Sequence, residues 1–191
     1  MRGTVYYEAP RRIWVRIAEP VNQTMAITDG GMLIYYPDVR RAFRIISNSP
    51  PSLPFLQIFV GATKPDMGLS EARFRLSESQ VKGDTLLTHW RPPDRANKTI
   101  GNATLAIVRD RFVSIDMRDA SGNSLMKATC SEHLKHGATY FPMRLVIESR
   151  EQDGLTVEEI EYSNPVFDEP LPSSITGFTL PDDVEVKEVR W

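Results

Sequence analysis

Gly3-Thr-Val-Tyr-Tyr-Glu-Ala-Pro10, Arg11-Arg-Ile-Trp-Val-Arg-Ile-Ala-Glu-Pro20 and Met25-Ala-Ile-Thr-Asp-Gly-Gly-Met-Leu-Ile-Tyr-Tyr-Pro37 decide how this chain folds. In the middle piece Ile13, Val15 and Ile17 alternate with Trp14 and Arg16, the period of a strand with one face turned inward. Asp29-Gly30-Gly31 stands between two apolar runs, where a hairpin needs residues tolerant of positive φ. The stretch from Val5 to Ile45 therefore predicts short antiparallel strands joined by tight turns, and such strands build a curved sheet. Its apolar concave face must lie against something, and what fills the concavity decides the function.

A chain of 191 residues suits a single domain covering 1–191. Hydrophobic residues at 41% and charged residues at 25% describe a globular protein able to bury a core. The formal net charge of −2 offers no global attraction for nucleic acid or an anionic membrane. No apolar run is long enough to span a bilayer. Cys130 is the one cysteine, so no internal disulfide forms, which fits a reducing cytosol or a periplasmic protein without disulfides. Met1-Arg-Gly-Thr-Val leads almost directly into a strand, with no basic n-region or apolar h-region. That is a cytoplasmic start on its face, unless an export signal and some leading structure are absent from this chain.

Further strand signals follow. Arg40, Arg41 and Arg44 interleave with Phe43, Ile45 and Ile46, and Ser47–Pro54 has the Pro and Ser content of a loop. Phe55-Leu-Gln-Ile-Phe-Val60, between Pro54 and Gly61, predicts one or two turns of very apolar helix, with a buried strand as the alternative. Strands are predicted over 74–76, 85–90, 104–108, 112–117, 125–130, 143–148 and 156–162, with a turn cluster at Asp119–Asn123 and a hairpin turn at Asp153-Gly154. Ile175–Val186 reads as a short edge segment. The expected fold class is mainly β: an antiparallel half-open barrel with a short apolar helix over its concave face.

The order of these signals resembles the periplasmic outer-membrane lipoprotein carrier proteins, the LolA-like family. Pro10, Pro20, Asp29-Gly30 and Tyr35-Tyr36-Pro37 stand in the family's order, followed by an apolar helix at Pro54–Ala62. Phe141-Pro142-Met143-Arg144, the Asp153-Gly154 turn, Ile160-Glu-Tyr-Ser-Asn164 and Phe178-Thr-Leu-Pro181-Asp-Asp-Val-Glu-Val186 match the family's C-terminal half. The chain departs from the pattern by starting after the family's N-terminal helix and first strand. It also departs by carrying Ala9 where the carriers often place a lid-latching arginine.

The resemblance implies a non-enzymatic periplasmic carrier, without cofactor, that shelters acyl chains of lipoproteins or lipids in a hydrophobic pocket. Its partners would be a membrane release complex and an outer-membrane acceptor, and nucleic acid would not be among them. The residues expected to line the pocket are Ile13, Val15, Ile17, Met25, Ile27, Leu33 and Tyr35, with Phe55, Leu56, Phe59 and Val60 of the helix as lid. Alternation by itself says only that these residues face inward, so an ordinary closed core remains open at this point. A lipoprotein-sensing regulatory module on the same scaffold is the alternative function, and a small enzyme using the barrel as a substrate pocket is a third.

Other residue patterns are weaker. Cys130-x-x-His133-x-x-His136 with Glu132 has metal-ligand types, but the segment reads as loop with solvated histidines. Asp116, Asp119, Glu148, Glu158, Glu159 and Glu161 are scattered on faces expected to meet water, and no nucleophile elbow occurs. Arg11-Arg12 with Arg16, and Arg40-Arg41 with Arg44, are local basic clusters that could contact phosphate head groups or an acidic partner. The wet face of a strand accounts for them as well. Asn22, Asn97 and Asn102 head glycosylation patterns that carry no meaning in a bacterial protein.

Overall fold

The computed structural model describes residues 1–9, 12–28, 31–46, 54–62, 64–94, 96, 98, 100–151 and 154–190, with only the backbone described for 54–57 and 151. The chain divides into two compact units, Met1–Ser52 with Asp168–Trp191 and Leu53–Phe167. The first holds β1 (Arg2–Glu8), β2 (Arg12–Glu19), β3 (Gln23–Thr28), β4 (Gly31–Tyr36) and β5 (Arg41–Ile46). The second begins with helix α1 (Pro54–Gly61). It continues through β6 (Arg75–Lys82), β7 (Thr85–Arg91), β8 (Ile100–Val108), β9 (Arg111–Asp119), β10 (Ser124–His136), β11 (Thr139–Glu151) and β12 (Gly154–Glu161). Helix α2 (Ser173–Thr176) and β13 (Glu185–Arg190) belong to the first unit.

Among the described residues the first unit forms a six-stranded sheet in the order β1-β2-β3-β4-β5-β13. Every pairing is antiparallel except that of β13, which runs parallel to β5 along the edge. The predicted tail segment is thus an edge, but its strand starts at Glu185, ten residues after Ile175. Ile175 itself lies in α2 and is 1% exposed, clustered with Trp14 and Ala26. Tyr6, Leu33 and Leu171 pack around that cluster, the Tyr35 and Phe178 rings lie 6.2 Å apart, and Arg16 donates to the Ser174 carbonyl at 3.0 Å. The C-terminal segment therefore covers the Trp14 face of the sheet. For this reason β2 buries Ile13, Trp14 and Val15 consecutively, where alternation predicted one inward face.

Register also revises one strand of the expected apolar set. Ile13 opposes Ile27 and Val15 opposes Met25, so these share a face. Thr28 opposes Gly31 across a two-residue link, which sets odd residues of β3 against even residues of β4. Met25 accordingly opposes Ile34, and Ile27 opposes Met32. Leu33 and Tyr35 oppose Ala26 and Thr24 and stand on the Trp14 face, away from Ile13, Val15 and Ile17. Asp29 and Gly30, the predicted turn residues, lie outside the described residues.

The second unit forms a seven-stranded antiparallel sheet in the order β12-β11-β10-β9-β8-β7-β6. One face carries Ala103, Leu105, Ile115, Ala128, Cys130, Leu145 and Ile147, and Ile58 of α1 packs into the same cluster with Leu69 and Phe74. The helix expected from Pro54 and Gly61 is thus present and seated by Ile58. The strand predicted over 74–76 instead runs from Arg75 to Lys82 with every residue exposed. As an edge strand it carries little apolar alternation for a sequence reading to find. β10 continues to His136, through the stretch expected to be loop, because it pairs with β11 as far as His136 opposite Thr139. Gly101 is required where β8 crowds β9: a Cβ there would meet the Asp119 carbonyl oxygen at 2.0 Å. Register shifts between Ile100 and Ala103 at that point, the signature of a bulge. Among the described residues no helix is long and apolar enough to cross a membrane.

Candidate functional site

Two apolar assemblies take in most of the residues expected to bind cargo. In the first unit, Ile13, Val15, Ile17 and Met25 are buried on one sheet face, joined by Met32 and by half-buried Ile27 and Ile34. No charged side chain interrupts that set. In the second unit, Phe59 of α1 meets the Phe141 ring edge-on at 5.4 Å and the Tyr162 ring at 5.6 Å. Phe141 in turn lies 5.9 Å from Phe167, on which His136 stacks at 4.3 Å. Val60 is half-buried beside Phe59, and the side chains of Phe55 and Leu56 lie outside the described residues. The expected pocket residues thus divide between the two units, strand residues in one and helix residues in the other.

Within the aromatic assembly the Tyr162 hydroxyl is buried and has no hydrogen-bond partner among the described residues. Burial raises its pKa, with a smaller contribution from Cys130. Cys130 is 3% exposed, and burial pushes its thiol up to about 12. Its neighbours in the sequence pattern go elsewhere. The His133 ring nitrogen lies 2.7 Å from the Phe112 carbonyl oxygen, and His136 faces Phe167. Among the described residues no group of three or more His, Cys, Asp and Glu is placed to hold a metal.

The basic clusters are occupied internally. Arg40 pairs with Asp183, Arg41 with Glu185 at 3.1 Å and Arg44 with Glu188 at 3.6 Å, all within the first unit. Arg12 pairs with Glu8 at 3.3 Å, whereas Arg11 lies outside the described residues. Most of the scattered carboxylates are similarly engaged. Glu159 binds Arg144, with Glu161 at 3.8 Å and Glu132 at 4.0 Å, and these raise the Arg144 pKa. Asp116 accepts from Arg118 at 2.8 Å and from Ser124 at 2.9 Å. Asp119 caps its own turn, accepting from Asn123 and Ser121, and these bonds hold its carboxyl below the usual range. Glu148 opposes Val157 and Glu158 opposes Ile147, which puts those two acids on opposite faces of the sheet.

Sequence reasoning missed an open cleft of about 660 Å³ in the second unit, lined by residues of β6 to β9 and their connections. Arg75 and Arg91, two of the charged residues that line it, are sixteen positions apart and are brought opposite each other only by strand register. No local motif announces them.

No family model and no curated protein matches the sequence. Solved structures do. A LolA superfamily protein from Nitrosomonas europaea superposes with a TM-score of 0.58 at 19% identity, covering 88% of this chain and 78% of that one. A DUF1329 family protein from Desulfovibrio piger gives a TM-score of 0.59 at 15% identity, covering 90% of this chain and 78% of that one. The fold is LolA-like. In this LolA-like chain the likeness extends across both units, since each superposition covers more than four fifths of the residues. The mainly antiparallel, unclosed arrangement expected from the sequence is therefore the observed one, with β13 as its parallel exception.

Proposed function

We propose that this LolA-like chain is a single-domain periplasmic carrier that binds acyl chains of lipoproteins or lipids and delivers them toward the outer membrane. It acts by binding, not by catalysis. Cargo arrives from a membrane release complex and leaves to an outer-membrane acceptor. The observation that carries this reading is the unbroken apolar face built from Ile13, Val15, Ile17, Met25, Ile27, Met32 and Ile34 on a LolA-like scaffold. Each methylene transferred onto such a surface contributes about 0.8 kcal/mol, so one fatty chain supplies a large driving force without polar specificity. Met25 and Met32 suit chains of varied shape, because the thioether adapts its rotamers at little cost. Ile13, Val15, Ile17, Met25 and Met32 are buried in the structure and Ile27 and Ile34 half-buried, so acyl chains reach the buried ones only as that face opens.

The test is to load the delipidated protein with a triacylated lipopeptide from detergent, remove the detergent and record native mass spectra. A photoreactive acyl analogue then maps the contact. We expect a one-to-one adduct with crosslinks at Ile13–Ile34, lost in Val15→Glu and Met25→Glu but kept in Val157→Glu, a change on exposed β12. Absence of an adduct, or crosslinks confined to other strands, refutes the reading.

A further inference from the structure

The cleft in the second unit holds an arrangement that the carrier reading does not use. Arg75 of β6 and Arg91 of β7 stand directly opposite each other in the antiparallel ladder. Like charges in that position repel and destabilise a sheet. Several other exposed arginines of this protein are matched with acids, as in the pairs of β5 with β13, Arg109 with Asp84 at 2.6 Å and Arg118 with Asp116. The side chains of Arg75 and Arg91 make no hydrogen bond or ion pair among the described residues. Both line the cleft of about 660 Å³, and Asn102 and Arg118 line its other side from β8 and β9.

We propose that this cleft binds a phosphate oxyanion between Arg75 and Arg91. A phosphate group presents enough oxygens to accept from two guanidinium forks at once, and it turns their repulsion into a charge-assisted clamp. Asn102 supplies a neutral amide donor from the adjoining strand. Arg118 is fixed by Asp116 and by the Gly122 carbonyl at 3.1 Å, so it shapes the wall instead of competing for the anion. Two acids also line the cleft, Asp94 and Asp119. Asp119 has both carboxylate oxygens occupied by its own turn, and Asp94 forms no ion pair with either arginine. The bulge at Gly101 draws β8 against β9 where both line the cleft. The oxyanion is either the phosphate of a lipid head group or that of a soluble phosphate ester.

The experiment uses the full chain and two probes. Inorganic phosphate is titrated while Arg Nε–H resonances and thermal midpoints are followed. Separately, sedimentation is measured with phosphatidylcholine vesicles with and without phosphatidylglycerol. Variants Arg75→Gln and Arg91→Gln are compared with Arg109→Gln, which removes the same charge from outside the cleft. We expect the first two to raise the thermal midpoint without phosphate, because the repulsion is relieved. They should also weaken phosphate or vesicle binding by about tenfold or more, while Arg109→Gln does neither. A phosphate response without vesicle retention assigns the soluble source, and retention by phosphatidylglycerol vesicles assigns the lipid one. Binding unchanged in both cleft variants, or wild-type protein that responds to neither probe, overturns the proposal. So does a fall in the ligand-free midpoint of both variants, which would mark the pair as structural.

Discussion

At the scale of single residues, Tyr162 and Cys130 show how burial sets chemistry without any catalytic purpose. The Tyr162 ring packs against Phe59 and Phe141, and its buried hydroxyl has no hydrogen-bond partner among the described residues. Removing an unpaired buried hydroxyl returns its desolvation cost, so Tyr162→Phe should hold or raise stability by up to about 1 kcal/mol in urea unfolding. A clear loss would mean that the hydroxyl has a role in the folded chain. Cys130 is raised from an ordinary 9.0 to about 12 by burial alone. Its folded pKa exceeds its unfolded one, so its contribution to stability is complete below pH 9 and lost as pH rises toward 12. Unfolding curves across that range should lose part of their downward slope in Cys130→Ala. The share from Tyr162, also raised by burial, should remain. In native protein at neutral pH the thiol should react slowly with a disulfide reagent and rapidly once unfolded.

Among the elements, the C-terminal segment shapes the first unit more than its sequence suggests. α2 delivers Ile175 onto Trp14 and Ala26, and β13 adds a parallel edge held to β5 by backbone pairing and by Arg41–Glu185 and Arg44–Glu188. These ion pairs are exposed and contribute at most about 1 kcal/mol each. Ile175 is 1% exposed, so Ile175→Ala should cost about 2–5 kcal/mol in chemical denaturation. A smaller loss than that of an Arg41→Ala, Glu185→Ala double variant would show that the edge pairs hold the segment instead. The same element explains where sequence reading stopped. The alternation of Ile13, Val15 and Ile17 identified a strand and its inward face, and Pro54 with Gly61 identified α1. Trp14 looked outward because its cover arrives from residues near 175, and local periodicity carries no trace of so distant a partner. Apolar alternation ends at Cys130, and the last residues of β10 are held by hairpin pairing instead of by apolar burial.

For the whole molecule, the carrier reading and the arginine cleft were legible to different degrees. The ordered prolines, turns and aromatic strands pointed to the LolA-like fold, which the superpositions show. The basic clusters at Arg11-Arg12 and Arg40-Arg41 drew attention by adjacency, yet the described members are neutralised within the first unit. Arg75 and Arg91 gave no such cue, because opposition across a ladder is a property of pairing and not of spacing. If the chain carries lipids, loading should lower exposure of the acyl cargo to phospholipases while leaving the secondary structure by circular dichroism unchanged. Cargo that is hydrolysed as fast as free lipid would argue against a sheltering role. The two-residue link between Thr28 and Gly31 has a further consequence for how this protein can vary. It acts as a phase setter: one residue more or fewer there would send Met32 and Ile34 to the side now held by Leu33 and Tyr35. The length of that hairpin is therefore fixed by the greasy wall it aligns, and Gly31 at its end is fixed as well, because its φ of 107° and the Ile45 carbonyl oxygen 2.7 Å from where a Cβ would stand admit no side chain.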